Sequence, residues 1–224
     1  GDPLACTAFM MVPGHELWHP DPDFYYLPGG GPMLDMGPYY LTALVNLLGP
    51  VARVTGRGKS FRPFRTIGSG PRAGQTVAVK TPTHLSGVAE FENGTLLTIT
   101  MSFDVWNHQH HHIELYGSQG SMLIPDPNCF DGNVQWSKGK EGWTRIPNAF
   151  PYADDNYRSL GLADLAHAIR KGRAHRANGQ IGFHVLEIMT GFLKAAETGE
   201  TVEMSSRCDR SEAMPTGLPF GQLD

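Results

Sequence analysis

Apolar positions along this chain follow two different periods, and the places where the period changes outline its elements. LACTAFMMV, residues 4–12, reads as a first strand, and the proline-rich aromatic segment from Pro13 to Pro28 has no period, which predicts a long loop. Leu41, Leu44, Val45 and Leu48 then recur at helical spacing, with Gly49-Pro50 as the stop. Because proline suits a first helical turn and spoils an interior one, this helix is expected to begin at Pro38. Val51 to Thr55 reads as a strand, and Arg57 to Thr83 as an irregular connection rich in Gly and Pro.

The middle of the chain switches to period two. Asn93-Gly94, between residues 87–91 and 96–103, signals a hairpin. Along its second arm Leu97, Ile99, Met101 and Phe103 alternate with Thr98, Thr100 and Ser102, so one face is buried and the other is small and polar. Strands over 110–116 and 121–125 flank the turn at 117–120, and an antiparallel meander follows from that order. Residues 134–136 and 143–146 add a further hairpin.

Helices return late, over Leu160 to Lys171 ending at Gly172, and over Gln180 to Glu197 between an Asn178 cap and Gly199. Strands in the middle with helices toward both ends predict an α+β domain whose helices lie on one sheet face. That domain is expected to occupy residues 1–204, and residues 205–224 to form an extended tail free to clasp a neighbour.

Composition narrows the function. The 224 residues are 40% hydrophobic, enough for one sizeable core. A net charge of -4 leaves no electrostatic footprint for nucleic acid, and the basic stretch from Arg53 to Arg72 reads as a solvated loop. No apolar run approaches membrane-spanning length. Residues 1–20 lack a basic start followed by an apolar run, so no secretion signal is visible. Cys6, Cys129 and Cys208 form no C-x-x-C pair, and are expected to be reduced, buried thiols, as suits a cytoplasm.

Candidate chemistry gathers at a few places. Asp35 follows the triple glycine Gly29 to Gly31 and sits beside a helix start, where a carboxylate either orients a substrate hydroxyl and trades its proton or merely caps the helix. His15-Glu16-Leu17-Trp18-His19 offers two imidazoles, a carboxylate and an indole for binding a sugar or polyol. Its H-E-x-x-H spacing also matches a zinc protease, but Pro13, Gly14 and Pro20 oppose the helix that motif needs. His108, His110 and His112 would share one strand face, either for a metal or as a polar face meeting another subunit; the second reading is preferred, and no metal is expected. Tyr157 and Arg158, after Asp154 and Asp155, precede a helix and either meet a substrate or accompany helix capping.

Three stretches taken in order, GHELWHPDPDFYY at 14–26, GGGPMLDMGPYYLTALVNLLGP at 29–50 and SFDVWNHQHHHIELYGSQGSMLIPDPNCFDG at 102–132, resemble the C-terminal domain of the Gfo/Idh/MocA oxidoreductases. The resemblance implies a large, open-faced, mainly antiparallel sheet whose uncovered face meets another subunit in a homo-oligomer. It implies a substrate pocket for a sugar, polyol or related hydroxy compound, with NAD or NADP held by a separate N-terminal Rossmann domain. Asp35 and Tyr39 would orient the reacting hydroxyl, and His15, Glu16, Trp18, His19, Tyr157 and Arg158 would hold the rest of the substrate. In the family pattern a His follows the Asp by four positions, often with another Asp three further on; Tyr39 and Thr42 stand there instead. An unperturbed tyrosine, with a pKa of about 10, does not trade protons near neutrality as histidine does.

No strand, G-x-G-x-x-G turn and helix occur in succession, and the family's Glu-Lys-Pro motif is absent. The chain is therefore expected to bind no cofactor and to be inactive in hydride transfer alone. It reads either as part of such an oxidoreductase or as a stand-alone binding or assembly protein without redox chemistry.

Overall fold

A computed structural model describes residues 1–224. In chain order the elements are β1 (Pro3–Met11), α1 (Pro32–Leu48), β2 (Val51–Lys59), β3 (Phe64–Thr66), β4 (Thr76–Ala78), β5 (His84–Phe91), β6 (Leu96–Ser102), β7 (Ile113–Gly117), β8 (Gly120–Ile124), β9 (Gln135–Ser137), β10 (Thr144–Arg145), α2 (Leu160–Lys171), α3 (Gly179–Thr198) and β11 (Val202–Glu203). Nine strands form one sheet in the order β10-β9-β8-β7-β1-β6-β5-β2-β11, and β3 and β4 make a separate small hairpin. Every pair in the large sheet is antiparallel except β1 with β6. The fold is α+β, as the pattern predicts.

One face of the sheet carries the core. Cys6, Ala8 and Met10 of β1, Leu97, Ile99 and Met101 of β6, and Leu85, Ala89 and Phe91 of β5 are buried there. Leu41, Leu44, Val45 and Leu48 of α1 and Val185, Ile188, Met189 and Phe192 of α3 cover them, which is the helical stripe read from the sequence. Phe192 lies over a cross-strand glycine pair, Gly56 and Gly87; a Cβ on Gly87 would come within 2.6 Å of its ring. The opposite face is uncovered along a row in which Thr55, Val88, Thr98, Thr7 and Glu114 are successive cross-strand partners.

The sequence reading needs correction at several points. The helix expected at Pro38 begins at Pro32, which takes the first-turn position after the positive-φ Gly31, so Asp35 lies inside the first turn rather than before it. Pro38 is carried within the helix, whose burial offsets the hydrogen bond that Pro38 cannot donate. The meander is interrupted because β1 inserts between β6 and β7; residues 103–112 form an irregular crossover long enough to step over one strand. The connection at 57–83 holds the end of β2 and the β3–β4 hairpin. Cys6 and Cys208 are buried, whereas Cys129 is exposed.

Residues 205–224 form no helix or strand and pack on their own chain. Asp224 pairs with Lys171 at 2.8 Å and Arg173 at 2.6 Å, Leu223 is buried, and Tyr152 donates to the Gln222 carbonyl. Ser205 and Ser206 donate to Glu187 of α3; against the upward push of burial, these bonds hold its carboxyl down at about 2. Fully buried His184 accepts the Val51 N–H at Nε2, 2.9 Å, so its proton sits on Nδ1 beside Ser206 Oγ, 2.8 Å away.

Two outcomes are expected. Gly87→Ala destabilises by about 1–3 kcal/mol through overpacking against Phe192, read as a lower urea midpoint. Burial lowers the His184 pKa below the ordinary 6.5, so below that pH the unfolded chain takes up a proton the native chain resists. Stability therefore falls by about 1.4 kcal/mol per pH unit on acidification until the native His184 titrates. Urea curves from pH 7 to pH 5 show this slope, and His184→Gln flattens it.

Candidate functional site

The loop between β1 and α1 is held from below by one buried cation. Arg65 of β3 is 2% exposed, and its Nη1 donates to Glu16 Oε1 at 2.9 Å, the Phe103 carbonyl at 3.0 Å and the Pro13 carbonyl at 3.2 Å. Its Nη2 donates to Asp104, whose other oxygen accepts from Thr83 at 2.5 Å. Tyr26 donates its hydroxyl to the second oxygen of Glu16 and places its ring 5.3 Å from the guanidinium. Gly14, at φ 119°, passes so close that a Cβ would strike Glu16 and Arg65. Both Glu16 oxygens are thus engaged and the residue is 3% exposed, so the structure buries it beneath the loop and does not display it to a ligand. The stretch from Arg53 to Arg72, read as solvated, contains the best buried arginine of the chain.

Above this base, Asp35 and His15 meet. Asp35 Oδ2 lies 2.9 Å from His15 Nε2, and Trp18 Nε1 donates to His15 Nδ1 at 3.2 Å. The His15 ring packs against Tyr25 and Phe103, each at 4.5 Å between centroids, and these two rings also meet edge to face. Asp35 sits where the α1 dipole favours a negative charge, and its carboxylate is directed to His15, while the helix start is capped by Gly31 without a side-chain bond. Its side chain is 27% exposed against 14% for His15, so the carboxylate is the more accessible of the two. Trp18 and Phe24 stand 58% and 55% exposed beside it. His19 accepts the Asp21 N–H and packs edgewise on Trp18, Phe24 and Tyr25.

A second patch continues from Asp35 along α1. Tyr39, one turn on and half exposed, faces the Arg158 guanidinium at 5.3 Å, and Arg158 also lies over Phe130 and donates to Asn128. Tyr157 packs on Phe130 and donates to Asp154 at 2.6 Å, which pushes its hydroxyl up to about 12. Tyr25 joins the two patches: burial first, then the charge of Asp35 and the neighbouring Tyr39, raise its pKa. The structure therefore brings His15, Trp18, His19 and Asp35 together, and Tyr39, Tyr157 and Arg158 beside them. Arg65, Tyr25 and Phe130 were not singled out from the sequence; only the density of aromatics at 18–26 hinted at Tyr25.

The histidine cluster departs from its expected geometry. Residues 108–112 precede β7 and form no strand, so they do not alternate. His108 and His110 stack with ring centroids 6.0 Å apart, His110 stacks on Phe9 at 4.2 Å, and His112 bonds the buried Tyr40 hydroxyl at 2.8 Å. Here and at His15 and His19, no three His, Cys, Asp or Glu side chains converge as a metal-holding group.

An apolar cavity of about 540 Å³ lies elsewhere, beneath Leu47, Leu115, Met122 and Trp136, and among its lining residues Lys138 is the one charged group. The parallel strands β1 and β6 are not joined through a glycine turn opening onto a helix, and the triple glycine follows a loop instead of a strand.

The family model described as the GFO/IDH/MocA C-terminal domain matches residues 1–123, and the chain belongs to the Gfo/Idh/MocA family. It is 23% identical over 182 residues to D-glucoside 3-dehydrogenase of Escherichia coli (strain K12), covering 80% of this chain and 50% of that protein. The apo form of levoglucosan dehydrogenase superposes with a TM-score of 0.73 at 16% identity, covering 93% of this chain and 61% of that one. Its complex with NADH and L-sorbose gives 0.72 at 17% identity, covering 92% and 60%. An aldose-aldose oxidoreductase from Caulobacter crescentus complexed with glycerol gives 0.65 at 19% identity, covering 91% and 56%. These structural likenesses show the fold. The chain spans half the length of the curated relative it matches. No helix of the structure is long and apolar enough to cross a membrane.

Removing the Arg65 charge leaves Glu16 and Asp104 buried without their cation. Arg65→Met is expected to cost about 3–5 kcal/mol and to loosen the 13–28 loop, measured by urea unfolding and by faster amide exchange in that loop.

Proposed function

We propose that this chain is the substrate-binding and oligomerising part of an NAD(P)-dependent oxidoreductase acting on a sugar, polyol or related hydroxy compound. The observation that carries the reading is the Asp35–His15 pair, held at 2.9 Å beside the exposed Trp18 ring in a chain of this family. A carbohydrate presents apolar C–H faces and a rim of hydroxyls. Trp18 offers a surface for the first, and Asp35, Tyr39 and Arg158 offer an acceptor and donors for the second. Asp35 would accept the hydrogen of the reacting hydroxyl while Tyr39 donates to a substrate oxygen, and His19 and Tyr157 would border the pocket. The NAD or NADP of such an enzyme would be carried by a separate Rossmann domain, so this chain alone is not competent for hydride transfer. The sugar dehydrogenases and oxidoreductases with which it shares its fold support the substrate class.

Residues 1–204 form the working domain in this reading, with the tail as its strap. The uncovered sheet face, where Val88 and Leu96 are 41% and 49% exposed, would pair subunits in a homo-oligomer. The free thiols suit a cytoplasmic location. A non-redox binding protein is the second reading, favoured by Tyr39 and Thr42 at positions where the family resemblance calls for His and Asp.

Calorimetric titration with hexoses and polyols tests the proposal. Asp35→Ala is expected to weaken binding by about ten- to a hundredfold, the value of a hydrogen bond to a charged group. Reduction of NAD(P) with the bound compound by the whole protein identifies the oxidoreductase. Binding without turnover identifies the second reading, and absence of both overturns the proposal.

A further inference from the structure

Resting on the site as read above, we propose that Trp18, His15 and Asp35 form one hydrogen-bonded relay in which His15 is a positioning residue, locked as the Nε2–H tautomer, whose protonation releases the Trp18 ring. The argument is a count of hydrogens. An indole N–H donates and cannot accept. Trp18 Nε1 lies 3.2 Å from His15 Nδ1, so that nitrogen is bare and the ring proton resides on Nε2. From there it points at Asp35 Oδ2, 2.9 Å away. One carboxylate oxygen is thereby fixed by the imidazole and the other is left for a ligand.

The same count predicts what a second proton does. Protonated at Nδ1, His15 would present a donor to the Trp18 donor, and that bond cannot persist. The His15–Asp35 contact, in contrast, becomes an ion pair and strengthens. Trp18 is 58% exposed, and its other interactions are through its backbone, which Ser69 and the His15 carbonyl hold, and an edgewise contact with His19. Its side chain is free to leave while the loop stays in place. The groups facing His15 are Asp35 from α1, Tyr25 and Trp18 from its own loop, and Phe103 after β6, with His19 beyond Trp18 and Tyr25 and the mutually paired Glu16, Arg65 and Asp104 behind. Tyr39 lies beyond Tyr25. Asp35 is the one carboxylate in direct contact with the imidazole, so the proton state of this pair and the position of the stacking ring form a single equilibrium.

Long-range proton–nitrogen spectra of the 224-residue chain labelled in histidine and tryptophan provide the test. At pH 8 His15 is expected to show the Nε2–H pattern. The Trp18 indole signal, assigned by its absence from Trp18→Phe, should shift with the same midpoint as His15. In Trp18→Phe the Asp35 carboxylate still favours the Nε2–H tautomer, while the His15 Nδ1 signal moves to that of an imidazole nitrogen without an indole partner. His15→Gln keeps an acceptor for Trp18 and a donor for Asp35 but has no titrating group at position 15, so its Trp18 signal should lose the transition that the wild type shares with His15 and keep only the effect of neighbouring His19. An Nδ1–H pattern in the wild-type chain, or an unchanged Trp18 titration in His15→Gln, overturns the proposal. If His15→Gln does not fold, the wild-type tautomer and the Trp18→Phe response decide alone. None of these signals requires a sugar or a nicotinamide, so the relay and the oxidoreductase reading fail separately.

Discussion

The buried guanidinium of Arg65 is the constraint on which the candidate site depends. It ties three parts of the chain together through side-chain bonds: the loop after β1 through Glu16 and Pro13, the segment after β6 through Phe103 and Asp104, and its own small hairpin. An arginine taken out of water requires partners for its charge and its donors, and the fold supplies two carboxylates and two carbonyls. Because the arginine satisfies loop groups that would otherwise be orphaned, a stretch dense in prolines and glycines can be buried without helix or strand.

That base determines which side chains remain for chemistry. Glu16 and His15 are neighbours in sequence, yet one is turned down into the ion cluster and the other up against Asp35. Phe103, whose carbonyl is fixed by Arg65, gives the imidazole a rigid wall on one side and Tyr25 gives it another. The charge needed for structure is segregated from the charge available to a ligand. Burial, with both terminal guanidinium nitrogens paired to carboxylates, marks the first kind, and partial exposure with an unused oxygen marks the second.

Much of the scaffold was legible because it repeats. The helical stripe of α1, the hairpin around Asn93-Gly94, and the two late helices with their Asn178 cap and glycine stops all arise from local rules that a few residues carry. The place of Asp35 at the start of α1 was legible for the same reason, since a carboxylate near a glycine-introduced helix start is a local event. The rest was nonlocal. Pro32 and Pro38 satisfy the same first-turn preference, and burial of Met33 and of the preceding loop, invisible in the sequence, decides for Pro32. Insertion of β1 between β6 and β7 depends on pairing Ala5 with Leu96 and Tyr116, 91 and 111 positions away. Arg65 lies in a three-residue strand among polar neighbours, and nothing in its vicinity signals two carboxylates waiting 49 and 39 positions away.

Tyr39 shows why composition at one position is a poor guide to the chemistry of a site. The family resemblance led to the expectation of an imidazole four residues after Asp35, and its replacement by tyrosine pointed to a site without a proton-trading partner. The fold nevertheless places an imidazole within 2.9 Å of that carboxylate, from the loop rather than the helix. An imidazole on a helix is oriented by backbone geometry alone, whereas His15 is oriented by what surrounds it: Trp18 at one nitrogen, Asp35 at the other, and aromatic rings on its faces. Tyr39 instead faces Arg158, which extends the polar surface beyond Asp35. The departure from the family pattern is thus a change of which element carries which group: the helix supplies the carboxylate and a hydrogen-bonding ring, and the loop anchored by Arg65 supplies the imidazole.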